Sequence, residues 1–239
     1  MTATDRPGEL IGTGRSADIY DLGNGRVLRR FRTEYNSQPE AELMAYLAKA
    51  GFPVPAVYDA NGPDLVMERL DGPDVLADFA SRPWLAGQHG RLIADLHNQL
   101  HQIEAPPWLR RAFLPGNRVL HMDLHPGNVM MTSRGPVVID WTGAAAGAPA
   151  ADVAMVYVIL TSSDIDLIPL LLRPFVPPLR ALHLKQFLAT AQHDPWPVMA
   201  QTAKFRMRDP NVRPAEVTKL QRIVDRAAAR TVGDAASAG

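Results

Sequence analysis

A chain of 239 residues, 46% of them hydrophobic, is long enough to bury a substantial core as one domain or as two lobes. Its 25 Lys and Arg cancel its 25 Asp and Glu, which argues against nucleic acid or another polyanion as partner, and the absence of cysteine excludes a disulfide framework, a thiolate nucleophile and a cysteine zinc site. No basic-then-apolar leader is visible and no run reaches the ~20 apolar residues of a membrane span, so a soluble, cytoplasmic protein with no membrane partner is expected.

The charge is unevenly spread. Eleven basic and five acidic side chains follow residue 170, a net +6 against −6 before it. Up to about residue 70, turn signals punctuate short strand candidates such as Asp18-Ile19-Tyr20 and Arg26 to Phe31. The one helix there runs from Pro39 to Ala50, with Pro at the start, Gly51 at the stop, and Leu43, Met44 and Leu47 at helical spacing. Glu40 shares their inward face, so it is a carboxylate that must be paired.

The apolar strand Leu65-Val66-Met67 leads to Asp71-Gly72-Pro73, a boundary between an N-terminal lobe over 1–70 and a helical C-terminal lobe over 71–239. The expected class is α+β. Leu92, Ile93, Leu96, Leu100 and Ile103 mark a long amphipathic helix, and Val119 to Asp140 alternates short apolar runs with turns. Further helices are expected over 150–162, 164–172, 178–192 and 214–230, and the Ala-rich tail from Arg230 reads as disordered.

The strongest chemical signal is His121-Met122-Asp123-Leu124-His125-Pro126-Gly127-Asn128, followed by Val137-Val138-Ile139 ending in Asp140. Phosphoryl transfer needs a carboxylate to take or orient the attacking hydroxyl's proton, and hard oxygen ligands for magnesium near the phosphates. Asp123, Asn128 and Asp140 have those chemistries. Singly, Asn128 can close a turn and Asp140 can end a strand; it is the ordered set that points to transfer chemistry. A G-x-G loop, Gly12-Thr13-Gly14, lies between two strand candidates, and such loops bring backbone N–H groups to phosphates. Strand alternation then places Arg29 among Val27 and Phe31, a cation that needs an anion, with Glu40 and triphosphate oxygens as candidates.

From Leu10 to Val156 these residues resemble the aminoglycoside phosphotransferase and choline kinase-like family, which shares the bilobal protein-kinase-like fold. The match rests on Gly12-Thr13-Gly14, Val27-Leu28-Arg29, Glu40, Val66-Met67-Glu68, Leu96-His97, the HxDxHPGN run from His121, Ile139-Asp140-Trp141, and Asp152. The resemblance implies an ATP- or GTP-dependent transfer to a hydroxyl of a small molecule. It casts Asp123 as base, Asn128 and Asp140 as Mg2+ ligands, Arg29 with Glu40 as the phosphate clamp, Met67 and Glu68 beside the adenine, and Asp152 as a structural anchor. Arg29 stands where many kinases have Lys, a fork in place of a point charge.

Two other readings stand beside this one. His121, Asp123 and His125 alternate, so on a strand they would share a face and suit a metal-dependent hydrolase. The chain can also be a catalytically silent nucleotide-binding module of the same fold. His97 and His101 have helical metal-pair spacing, but read more simply as one core and one surface histidine. For the acceptor, Asp164 and Asp166 can attract a cation, whereas the basic final third favours neutral or anionic compounds.

Overall fold

The computed structural model describes residues 8–163 and 170–237. The chain forms two compact units, one comprising residues up to 75 together with 128–142, the other 76–127 together with 143 onward. Most of the expected 164–172 helix, with Asp164 and Asp166, lies outside the described residues.

The first unit is built on an antiparallel sheet of β1 (Glu9–Thr13), β2 (Ala17–Gly23), β3 (Arg26–Phe31), β4 (Val57–Asn61) and β5 (Asp64–Glu68), in the order β1-β2-β3-β5-β4. Asn24 (φ 50°) and Gly25 (φ 70°) turn β2 into β3, the left-handed backbone that Asn-Gly turns supply. β3 is central in the sheet, and Val27, Leu28, Arg29 and Phe31 are all buried. Between β3 and β4 comes α1 (Gln38–Lys49), which buries Glu40, Ala41, Leu43, Met44 and Leu47 and is stopped at Gly51 (φ 80°).

A hairpin of β7 (Val129–Thr132) and β8 (Gly135–Val138) belongs to this same unit, so the division is not a single cut near Asp71. The Val138 N–H donates to the Pro53 carbonyl and the Met131 N–H to the Pro73 carbonyl, each at 2.8 Å. Gly72 (φ 94°) lies so close beneath the hairpin that a Cβ there would come within 2.1 Å of the Met131 carbonyl oxygen. Two backbone bonds and one close approach thus anchor the hairpin that ends in Asp140.

The second unit contains α2 (Val75–Ser81), which begins at the junction, then α3 (Ala86–Leu100), the short pair β6 (Arg118–Leu120) and β9 (Ala145–Gly147), and α4 (Pro149–Ser162), α5 (Val176–Thr190), α6 (Met199–Arg206) and α7 (Pro214–Ser237). α4 is apolar nearly all round, the mark of a buried helix. One side packs on Leu120, Met122 and Ala145, the other on Met199, Ala203, Leu220 and Val224. Each fully buried aliphatic side chain is worth ~1.5–3 kcal/mol, so α4 is the centre of this unit's stability.

The sheet-then-helices architecture meets the α+β expectation. Two details differ. α6 has no strong hydrophobic period and forms because Met199, Thr202 and Ala203 are buried beside α4 and α7. The Ala-rich run from Arg230, read as disordered, instead continues α7 to Ser237, as alanine's helix propensity allows. Among the described residues no helix is long and apolar enough to cross a membrane.

Gly90 marks a close approach between α3 and α5. A Cβ there would stand 2.2 Å from the His183 carbonyl oxygen. Gly90→Ala should therefore destabilise the fold by about 2 kcal/mol or more, despite alanine's better helix propensity. Urea denaturation of the variant checks this; an unchanged or raised midpoint would show that the two helices can separate at little cost.

Candidate active site

In the first unit the geometry is built around Glu40, only 4% exposed on α1. An Arg29 Nη donates to its Oε2, the Tyr35 hydroxyl donates to the same oxygen at 3.3 Å, and the Trp141 N–H donates to Oε1 at 3.0 Å. Burial raises the Glu40 carboxyl above its ordinary value, with the Arg29 guanidinium opposing. Burial and the Glu40 charge likewise push the Tyr35 phenol up to about 12. The guanidinium of Arg29 lies 4.9 Å from the centre of the Phe31 ring, which stacks on Tyr35 at 3.9 Å. Tyr35 carries no pattern in the sequence that would have singled it out.

Arg29 also reaches toward Asp140, with 3.8 Å between Nη1 and Oδ1. Among the described residues its buried Nε has no hydrogen-bond partner. A buried donor left without an acceptor fits a site that an anion completes. The Asp140 side chain is 44% exposed, accepts from the Thr142 hydroxyl at 2.8 Å, and sits on a backbone at φ 63°. Such a conformation costs a non-glycine residue roughly 1–3 kcal/mol, and it turns the chain just after β8 ends at Val138.

Hairpin register brings Asn128 to the same end. Val129 pairs with Val138, and the Ile139 N–H donates to the Asn128 carbonyl at 3.0 Å, so Asn128 lies across the hairpin from Ile139-Asp140. One amide and one half-exposed carboxylate suit a magnesium ion that keeps several waters and takes its other ligands from phosphate.

The glycine-rich segment is a hairpin more than a loop. Gly12 and Thr13 are in β1, opposite Ile19 and Asp18, and the turn itself is Gly14 to Ser16. Ala17, standing at the usual third glycine, is buried at the start of β2. Met67 and Glu68 end β5; the Glu68 carboxylate accepts from the Ala56 N–H at 3.0 Å and from Arg134 of the β7–β8 turn at 2.6 Å.

In the second unit, Asp123 follows β6 in a loop held by Asp152 of α4. The fully buried Asp152 carboxylate accepts from the His121 N–H at 3.0 Å, the Met122 N–H at 2.7 Å and His101 Nε2 at 3.1 Å. Burial alone would raise this carboxyl; the His101 hydrogen bond, the nearby His97 and His101 rings and the backbone donors outweigh it and hold it below the usual range. Met122, adjacent to Asp123, has φ 67°, a strained backbone fixed by one of those bonds.

Asp123 keeps a side chain 35% exposed. The His125 Nδ1 accepts from the Gly127 N–H at 3.0 Å, which puts the ring proton on Nε2, 3.8 Å from Asp123 Oδ2. His121 is buried, and its Nδ1 accepts from the Asp123 N–H at 3.3 Å.

The strand-face metal set is not formed. β6 ends at Leu120 and Met122 turns left-handed, so His121, Asp123 and His125 do not alternate along a strand. Among the described residues no three His, Asp or Glu side chains are grouped to hold a metal. His101 is not a surface residue either: both it and His97 are buried, one on Asp152 and the other on the Ile93 carbonyl at 2.8 Å.

The chain matches the model of the phosphotransferase enzyme family, abbreviated APH, over residues 8–118 and 108–173. It belongs to that family. No match was found among curated proteins. Among solved structures, aminoglycoside phosphotransferase APH(2'')-Ib, ADP-bound, superposes with a TM-score of 0.59 at 12% identity, covering 90% of each chain. An ethanolamine kinase of Plasmodium vivax gives 0.58 at 14%, covering 89% of this chain and 80% of that one. An amicoumacin kinase in complex with AMP-PNP, Ca2+ and Ami gives 0.50 at 15%, covering 93% and 88%. These likenesses establish the protein-kinase-like fold for this APH-family chain.

Acid should unfold this phosphotransferase-family protein through its buried imidazoles. Burial pushes His97 and His183 each down to about 4 from an ordinary 6.5. Between those values the unfolded chain binds protons that the folded one refuses, so stability is full above pH 6.5 and is lost as pH falls toward 4, at about 1.4 kcal/mol per pH unit for each ring. Glu40, raised by burial, works in the opposite sense but is one group against two. The melting temperature should fall steadily between pH 7 and about pH 4.5. A flat profile would mean that the two rings are accessible to protons in the folded state.

Proposed function

We propose that this protein transfers the γ-phosphoryl group of Mg2+-ATP, or GTP, to a hydroxyl of a small molecule. The observation that carries the reading is the Arg29–Glu40 pair: a buried cation with one donor unsatisfied, 3.8 Å from Asp140, which shares the hairpin end with Asn128. Family membership and the ADP-bound and AMP-PNP- and Ca2+-bound neighbours support a nucleotide and a divalent metal.

In this reading Arg29 binds phosphate oxygens in the guanidinium's forked geometry, and Glu40 keeps that fork oriented. Asn128 and Asp140 would hold the metal, which on binding neutralises charge on the transferring phosphoryl group. Gly12, Thr13 and Gly14 would lie along the phosphates, while Met67 and Glu68 would flank the base, the Glu68 side chain being held by Arg134. Asp123 would accept or orient the acceptor's hydroxyl proton, with the His125 Nε2–H tempering its charge.

For the acceptor, the net +6 after residue 170 favours a neutral or anionic compound over a polycation.

A coupled ATP-consumption assay with magnesium, run against aminoglycosides, macrolides, amino alcohols, sugars and nucleosides, tests the class. Asp123→Ala should lower turnover with the accepted compound by roughly a hundredfold or more while ATP affinity changes little. Equal loss of both would remove Asp123 from the role of base. Asp140→Ala should abolish the magnesium dependence of ATP binding; a wild-type affinity indifferent to magnesium would refute the metal role of Asp140.

A further inference from the structure

Arg32, just beyond β3, is an exposed arginine that no part of the proposed mechanism uses, yet it makes more bonds to the glycine-rich turn than any residue named so far. Its Nη1 donates to the Arg15 carbonyl at 3.0 Å and its Nη2 to the Gly14 carbonyl at 2.7 Å. The same guanidinium is held by the Asp18 carboxylate of β2, at 2.8 Å from Nη2 and 3.2 Å from Nε. The Arg32 backbone N–H also donates to the Ser16 carbonyl at 3.0 Å, and the Gly14 N–H closes the turn on Ala17 at 2.8 Å. Carbonyls of three consecutive turn residues therefore point at one arginine.

The trans peptide converts that into a statement about donors. Within each peptide unit the C=O and the following N–H point in opposite directions. With the Gly14 and Arg15 carbonyls turned to the guanidinium, the N–H groups of Arg15 and Ser16 are turned away from it. Neither has an acceptor among the described residues. Two successive backbone N–H groups presented on one side of a turn form the concavity that binds anions such as phosphate oxygens.

We propose that Arg32 is a positioning residue for nucleotide: by clamping the turn carbonyls, it holds the Arg15 and Ser16 N–H groups pre-aimed at the phosphates. The inference rests on the nucleotide reading above and adds to it the part of the chain that keeps a Gly-containing turn in one conformation. Without the clamp, each of the Gly14 and Arg15 peptides is free to flip, and the ordering of the turn must be met on binding. A contribution of this kind falls on the phosphates and leaves the nucleoside alone.

The test is isothermal titration of ATP with magnesium, and of AMP, into the wild-type protein and into Arg32→Ala and Arg32→Lys, with melting temperatures recorded to establish folding. Arg32→Ala is expected to weaken ATP about tenfold and AMP less than twofold. Arg32→Lys should fall in between, since an ammonium can keep one carbonyl and Asp18 but does not span both carbonyls. Wild-type affinity for ATP in the folded Arg32→Ala variant would overturn the proposal and leave the nucleotide reading intact. Equal loss of ATP and AMP would overturn it as well, marking Arg32 as a general support of the sheet. A wild-type protein that binds no ATP in the presence of magnesium would refute the nucleotide reading itself, and this inference with it.

Discussion

A carboxylate removed from water must be met by donors, and in the first unit that requirement, at Glu40, fixes most of what surrounds it. Its donors come from three different stretches of chain: Arg29 of β3, Tyr35 of the β3–α1 connection, and the Trp141 N–H that follows the β7–β8 hairpin. Because each donor satisfies the same buried charge, the strand, the helix and the returning hairpin settle together. Losing one of them would leave a buried charge short of partners, at a cost of several kcal/mol. The orientation of Arg29 follows from this, and so does its approach to Asp140.

The second unit repeats the device at Asp152. There the buried carboxylate holds a short stretch of backbone, and the stretch is the one that carries Asp123. The left-handed Met122 and Asp140 show where the local rules are strained: methionine avoids positive φ, aspartate tolerates it only better than most, and both flank or occupy the positions to which chemistry is assigned. In each case the strain is held by bonds made far along the chain, Met122 by Asp152 and the end of the Asp140 hairpin by Glu40. An apolar helix such as α4 can carry its one acid because the donors of the loop reach it.

Much of this was legible in one sequence. Helical spacing alone placed Glu40 on the inward face of α1, and strand alternation placed Arg29 beside Val27 and Phe31, so their pairing followed from the need of each buried charge for the other. The order of Asp123, Asn128 and Asp140 is what leads to the proposal of phosphoryl transfer. What was missed has a common cause. His101 is buried because a carboxylate 51 positions away accepts from it; Tyr35 and Arg32 matter through partners reached by folding; α6 exists because α4 and α7 bury one of its sides.

The sequence by itself determined the family, the α+β class, the residue types available for transfer chemistry and the faces on which the first unit's paired charges stand. These depend on spacing along the chain, and spacing is what a sequence records. Tertiary structure alone decided that the hairpin from 128 to 142 belongs with the first unit, that His121, Asp123 and His125 leave the extended conformation, and which carbonyls Arg32 clamps. Those outcomes depend on hydrogen bonds between distant residues and on backbone angles that the residue types do not prefer, so no local pattern announces them.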